Sequence, residues 1–242
     1  MKFLFVIGVE GTGHHMIGSI LSDYRKRDDS VFEGEWHDLL ANHWDYEKFK
    51  KHEGLFSFIG QKDLKDKLKN IFQKYEANQV KNLFEHTSFP YEQPRESLRR
   101  PDIINFEELT KDTIDVKYLV LYRNPIAATY SAIRRKFTDN VYYQARIAES
   151  NYIYIERQFS QVSDNKYRVV HFEEFLENPE HYGKKLSEWW ELEHEVVEVG
   201  LKNLRKPSGM SKIPGDSRKF LENFFSEARL NQWQEFYNSN KL

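Results

Sequence analysis

At 242 residues the chain has the length of one large domain rather than two small ones, and with 39% hydrophobic and 15% aromatic residues it can bury a substantial core. Its 36 basic and 38 acidic residues leave a formal charge of −2 and a pI near 6.5, without the basic excess that non-specific nucleic-acid binding needs. It contains no cysteine, which excludes disulfides and thiolate metal ligands.

The first apolar run, FLFVIGV (3–9), is too short to span a membrane and carries no cleavage site. It reads as a buried strand, and the chain is expected to be soluble and cytoplasmic, with no membrane partner. A helical pattern over 13–26 follows. The segment FEGEWHDLLANHW (32–44) reads as a loop bordering the pocket, with Trp36 and Trp44 anchored in the core. QKDLKDKLKNIFQKYEA (61–77) puts Leu64, Leu68, Ile71 and Tyr75 on one face of a charged helix. NLFEHTS (82–88) is a weaker strand candidate and leads into a proline-rich loop over 86–103. YLVLYR (118–123) and YRVVHF (167–172) are two more buried strands, each followed by helices: 124–137 and 140–160 after the first, 179–191 and 222–239 after the second. Trp189 and Trp190 read as core residues of the 179–191 helix. An irregular stretch, RKPSGMSKIPGDSRK (205–219), carries two prolines, two glycines and five basic residues. Without repeats or a linker, 1–242 reads as a single α/β domain. A central parallel β-sheet is flanked by helices, with a P-loop-like first turn and the site at the strands' carboxyl ends.

That first turn, GVEGTGHH (8–15), spaces Gly8 and Gly13 as a nucleotide-triphosphate P-loop does, but His14 and His15 stand where Lys and Ser or Thr would be. Glycines let the backbone approach an anion and point N–H groups at it. Without the hydroxyl there is no standard Mg²⁺ ligand, and no strand ends in the acidic residue of a Walker B motif. ATP or GTP hydrolysis is therefore disfavoured, and a phosphate or phosphosulfate handled without metal is expected.

A second anion site is written in YLVLYRNPIAATYSAIRRKF (118–137). Arg123 ends a strand, Asn124 suits an N-cap and Pro125 suits the first helical position. Ile126, Tyr130, Ile133 and Phe137 mark the expected buried face. Ser131 lies about 140° round from Ile126, on the face of Ala127 and Arg134. Arginine and a hydroxyl so placed can grip a phosphate, and the alternative is an arginine paired with a carboxylate beside a solvated serine.

The two motifs together resemble the PAPS-dependent sulfotransferase family. The likeness continues through YRVVHFEEFLENPEHYGKKLSEWWEL (167–192) and, more weakly, RKPSGMSKIPGDSRKFLENFF (205–225). It implies a P-loop-NTPase-like sulfotransferase fold and PAPS, 3′-phosphoadenosine 5′-phosphosulfate, as the sulfuryl donor, with no metal required. Gly11, Thr12, Gly13, His14, His15 and Met16 would hold the 5′-phosphosulfate, and Arg123 and Ser131, eight residues apart, the 3′-phosphate. Arg205 and Lys206, or Arg218 and Lys219, would help, and Phe172 would take the place of the tyrosine that stacks beside the adenine. The family's loop Lys or Arg falls on Gly11, with Glu10 before it, and its hydroxyl pair becomes His14 and His15, so one or both histidines would replace the missing cation. No copy of the family's C-terminal dimerisation motif is found, and the oligomeric state is not legible. The alternatives are a catalytically inactive PAPS- or nucleotide-binding module and a P-loop kinase-like enzyme that lost its lysine.

His86, read at a strand end before the loop, is the first candidate for the base that takes the acceptor's proton, with Glu85, His14 and Glu10 as rivals. Glu33, Glu35, His37 and Asp38 could bind a polar or cationic acceptor, a small molecule or a carbohydrate, beside Glu10. A metal on His37, Asp38 and His43 is set aside for want of a second ligand cluster.

Overall fold

In the computed structural model the described residues are 1–43, 58–89, 101–135, 140–204 and 213–242. Five segments, β1 (Lys2–Val9), β2 (Ser30–Phe32), β3 (Asn82–Phe89), β4 (Asp115–Tyr122) and β5 (Tyr167–His171), pair in parallel in the order β2-β3-β1-β4-β5. β1 is central. After Lys2 it is apolar and buried to its end because both faces are covered, as parallel sheets require. Phe3, Phe5 and Ile7 point to one side, against Trp36, Phe72, Phe106, Tyr152 and Trp233, whereas Leu4 and Val6 point to the other, against Ile17, Ile20, Trp190 and Val197.

The helices are α1 (His14–Ile20), α2 (Glu35–His43), α3 (Phe58–Ala77), α4 (Ile103–Thr110), α5 (Pro125–Arg134), α6 (Val141–Phe159), α7 (Phe172–Glu177), α8 (Pro179–Trp190), α9 (His194–Leu201), α10 (Gly215–Phe224) and α11 (Glu227–Ser239). α1, α8 and α9 cover the Leu4 face and most of the others the Phe3 face, so the fold is the single three-layer α/β domain with a parallel sheet that the alternating pattern implies.

Local chemistry sets the ends of these elements. Asn124 Oδ1 accepts from the Ile126 N–H at 3.0 Å and Pro125 opens α5, and Asn140 caps α6 through the Tyr143 N–H at 3.0 Å. The expected 13–26 helix stops at Ile20 and continues as a 3₁₀ turn, Ser22–Lys26. The expected 222–239 helix is two helices, because Ser226 caps a new one by accepting from the Arg229 N–H.

The 32–44 segment is not a loop: β2 adds an edge strand to β3, and α2 buries Trp36 completely, while Trp44 lies outside the described residues. β3 continues to Phe89, which pairs with Val9, so His86 sits inside a strand opposite Val6. β4 ends at Tyr122, one residue before Arg123. α5 is also turned from its expected orientation. Ile126, Ala127, Ala128 and Ala132 are buried and Tyr130 and Ile133 only half-buried, because small residues let the helix press on the glycine loop; Phe137 lies outside the described residues. Trp190 is a core residue, but Trp189 is half-buried beneath the cations of Lys117 and Arg168.

Candidate functional site

The loop leaving β1 is shaped by two glycines with φ of 91° at Gly11 and 113° at Gly13. A side chain fits at neither. A Cβ on Gly11 would lie 2.4 Å from the Ala128 carbonyl oxygen of α5, and one on Gly13 would lie 2.5 Å from the Phe172 ring. Thr12 is buried beneath the loop, where its hydroxyl donates to the Val9 carbonyl at 2.6 Å, so it braces the turn instead of facing outward. The Met16 N–H is spent on the Gly13 carbonyl at 2.8 Å and its side chain is buried, which leaves Met16 a packing role. The N–H groups of Gly11, Gly13 and His15 make no hydrogen bond among the described residues. His14 is half-buried and His15 exposed at the start of α1.

Arg123 enters this loop from the end of β4. Its Nη1 donates to the Gly11 carbonyl at 2.8 Å, and its Nε faces Glu173 at 3.4 Å. Burial pushes the guanidinium down from its ordinary value while Glu173 pulls it back up. Both alternatives for Arg123 thus meet in one place: it is carboxylate-paired and also part of the loop, with further N–H donors left over. Ser131 is half-buried on α5, and its hydroxyl has no hydrogen-bond partner among the described residues.

Phe172 corrects an expectation. Because β5 stops at His171 and Phe172 opens α7, the ring turns inward and is only 8% exposed. The Arg123 guanidinium covers one face at 4.4 Å and Gly13 meets its edge, so the ring is a wedge under the loop with little of its surface exposed.

On the other flank, β3 and the β2–α2 turn assemble two carboxylate–histidine pairs. His86 Nδ1 lies 2.5 Å from Glu33 Oε1. His37 Nδ1 lies 2.8 Å from Glu85 Oε1, and Glu85 Oε2 also accepts from Trp36 Nε1 at 2.9 Å. The rings of His86 and His14 meet edge to face, 6.4 Å between centroids. Glu85 holds the His37 imidazole above its usual range, with Glu33 and Asp38 adding to the effect. His86 holds the Glu33 carboxyl below its usual range, helped by His37 and Arg25. Both carboxylates are thereby hydrogen-bonded to imidazoles, so neither stands free to face an acceptor.

Glu35 is not in this group; it pairs with Lys74 of α3. Glu10 is buried and paired with Arg135 at the C-cap of α5, Nη1 to Oε1 2.8 Å. Arg135 was not foreseen, because its partner lies 125 residues away in the chain and leaves no local pattern. Arg205, Lys206 and the side chain of His43 lie outside what is described, and Arg218 pairs with Glu222 within α10. Among the described residues no group of three or more His, Asp or Glu side chains is placed to hold a metal, and no helix is long and apolar enough to cross a membrane.

No family model and no curated protein matches the chain. Solved structures do. A sulfotransferase from Alicyclobacillus acidocaldarius superposes with a TM-score of 0.54 at 12% identity, covering 97% of this chain and 99% of that one. A mouse sulfotransferase solved with PAP gives 0.48 at 9% identity over 98% and 89% of the two chains. The sulfotransferase domain of the Synechococcus olefin synthase gives 0.45 at 11% over 94% and 95%. The likeness to the first establishes a shared sulfotransferase fold.

Proposed function

We propose that the chain transfers a sulfuryl group from PAPS to a hydroxyl or amine of a small-molecule or carbohydrate acceptor and releases PAP. The observation that carries this reading is the junction of Arg123 with Gly11, which joins the two expected anion-binding elements on a sulfotransferase fold. The residues suit the donor. Three loop N–H groups and the unpartnered Ser131 hydroxyl are uncommitted, and Arg123 retains donors beyond those used.

Gly11, Gly13 and His15 would hold the 5′-phosphosulfate through their N–H groups, and Arg123 and Ser131 the 3′-phosphate. PAPS supplies an activated sulfuryl group, whose transfer calls for in-line positioning and for hydrogen-bond donors at the leaving oxygen. His14 or His15 donates there. His86, set in β3 against His14, accepts the proton of the acceptor, which requires an unprotonated nitrogen within hydrogen-bond reach.

Thermal unfolding with PAP, and with ATP in the presence and absence of Mg²⁺, tests this. A ligand at ~100 times its Kd adds roughly 2.7 kcal/mol, about 5–10 °C for a domain of this size. A shift with PAP that ignores Mg²⁺ is expected. A shift with Mg²⁺–ATP alone would replace this reading with a kinase-like one, and PAP binding without transfer to any acceptor would make the chain a binding module.

A further inference from the structure

We propose that Glu33 is a positioning residue for His86: its carboxylate takes the Nδ1 proton and so leaves the lone pair on Nε2. This rests on the reading of His86 as the base.

The geometry supports one tautomer. An ionised carboxylate can only accept a hydrogen bond, so at 2.5 Å from Glu33 Oε1 the His86 Nδ1 must be the N–H. The groups that act on Glu33 are His86, through its hydrogen bond, then His37 and Arg25, all favouring the ionised carboxylate. Arg25 is itself held over the Phe32 ring at 4.5 Å, and His37 is held by Glu85. Nε2 faces α1 at Gly18, where a Cβ would be in van der Waals contact with it at 3.8 Å and glycine leaves that place empty.

The backbone gives a second, independent observation. Glu33 has φ of 47°, a left-handed conformation that favours Gly or Asn, yet the position carries a long carboxylate. Its own N–H is fixed to the Phe84 carbonyl at 2.9 Å, two residues before His86 on the same strand. The strained turn therefore sets the carboxylate against the ring. Strain of this kind persists where the surroundings over-determine it, which is common at functional sites.

In the reaction the acceptor's O–H bond breaks and its proton moves to Nε2, the oxygen uses the freed electron pair to bond to sulfur, and the bond from sulfur to the bridging oxygen of PAPS breaks, its pair leaving on the 5′-phosphate of PAP. Glu33 then faces an imidazolium, which it stabilises, without itself taking the proton.

The test is the tautomer of His86 in ¹⁵N-histidine-labelled protein at pH 8.5, from ring ¹H–¹⁵N correlations assigned with the His86→Gln spectrum. The wild type should show Nδ1–H. Glu33→Gln keeps an acceptor oxygen at the same reach and should keep this tautomer. Glu33→Asn suits the left-handed backbone but is too short, and should return the ring to the usual Nε2–H-rich mixture. With labelled PAPS and 2-naphthol, Glu33→Asn should cut kcat by about 10²-fold at unchanged PAP affinity and KM, and Glu33→Gln should recover most of that loss. An Nε2–H wild type, a tautomer indifferent to Glu33→Asn, or an unchanged kcat would each overturn the proposal. A wild type that binds no PAP would sink the donor reading instead, and the tautomer would still decide whether Glu33 holds His86.

Discussion

The guanidinium of Arg123 donates to the carbonyl oxygen of Gly11 at 2.8 Å, so the first residue beyond β4 holds the turn beyond β1. The same guanidinium covers Phe172, whose ring edge abuts Gly13. Three strand ends are thus one packed unit, and whatever the loop binds is felt at β4 and β5 together.

Arg123→Ala should therefore act on fold and ligand at once. A buried charge-assisted hydrogen bond contributes about 1.5–3 kcal/mol, and its loss should lower the urea midpoint with an unchanged m-value. PAP affinity, read by calorimetry, should fall far more than ATP affinity. Equal losses for both nucleotides would mean that Arg123 only braces the loop.

Gly13→Ala should destabilise by at least about 1 kcal/mol from the left-handed backbone alone, and more from the collision with Phe172. Removing the ring as well separates the two effects. In the Gly13→Ala/Phe172→Ala double variant, the cost of Gly13→Ala should shrink without vanishing, because the space is recovered but the φ of 113° is not. Full recovery in urea unfolding would show that only the ring forbids a side chain.

His37 should make stability fall as pH rises above neutrality. Its folded-state value is raised, first by the hydrogen bond to Glu85, so its contribution is complete below the unfolded value near 6.5 and is lost as pH climbs through the folded one. His171 carries the opposite sign: burial lowers it, so the unfolded chain takes the proton first and acid destabilises the fold. Comparing wild type with His37→Gln at pH 6 and pH 8.5 isolates the first effect. The variant should lose stability mainly at pH 6, and an equal loss at both would refute the charge pairing.

What could be read from the residues was local or repetitive. β1 is apolar from Phe3 to Val9 because both faces are covered, and Asn124-Pro125 announces the start of α5 by chemistry confined to two positions. β2 is three residues long and lies at the edge, too short for a periodic signal, and this hid the strand–helix unit that carries Glu33, Trp36 and His37. The face of α5 was misjudged because large residues suggest burial, whereas the close approach of Gly11 to the Ala128 carbonyl selects alanines. The histidines of the site were visible as residue types, but their carboxylate partners were not. Those pairings join β3 to the β2–α2 turn and to α2, segments far apart in the chain, where sequence separation carries no period.

Glu10 and Arg135 bear on the cation that the loop lacks at Gly11. Glu10 sits in the position before Gly11, its side chain 7% exposed, and Arg135 reaches it from a helix end with its own side chain 43% exposed. Removing Arg135 leaves a buried carboxylate without its partner, which costs more than removing both members of the pair. Arg135→Gln should thus be less stable than Glu10→Gln/Arg135→Gln, by about 1 kcal/mol once screening of the exposed guanidinium is allowed for. The comparison also bears on the ligand. If Arg135 supplies the charge that Gly11 cannot, Arg135→Gln should weaken PAP while Glu10→Gln, which frees the guanidinium, should tighten it, and both changes should shrink at high salt. If the pair serves the fold alone, PAP affinity should be the same in all three variants once each is compared below its unfolding transition.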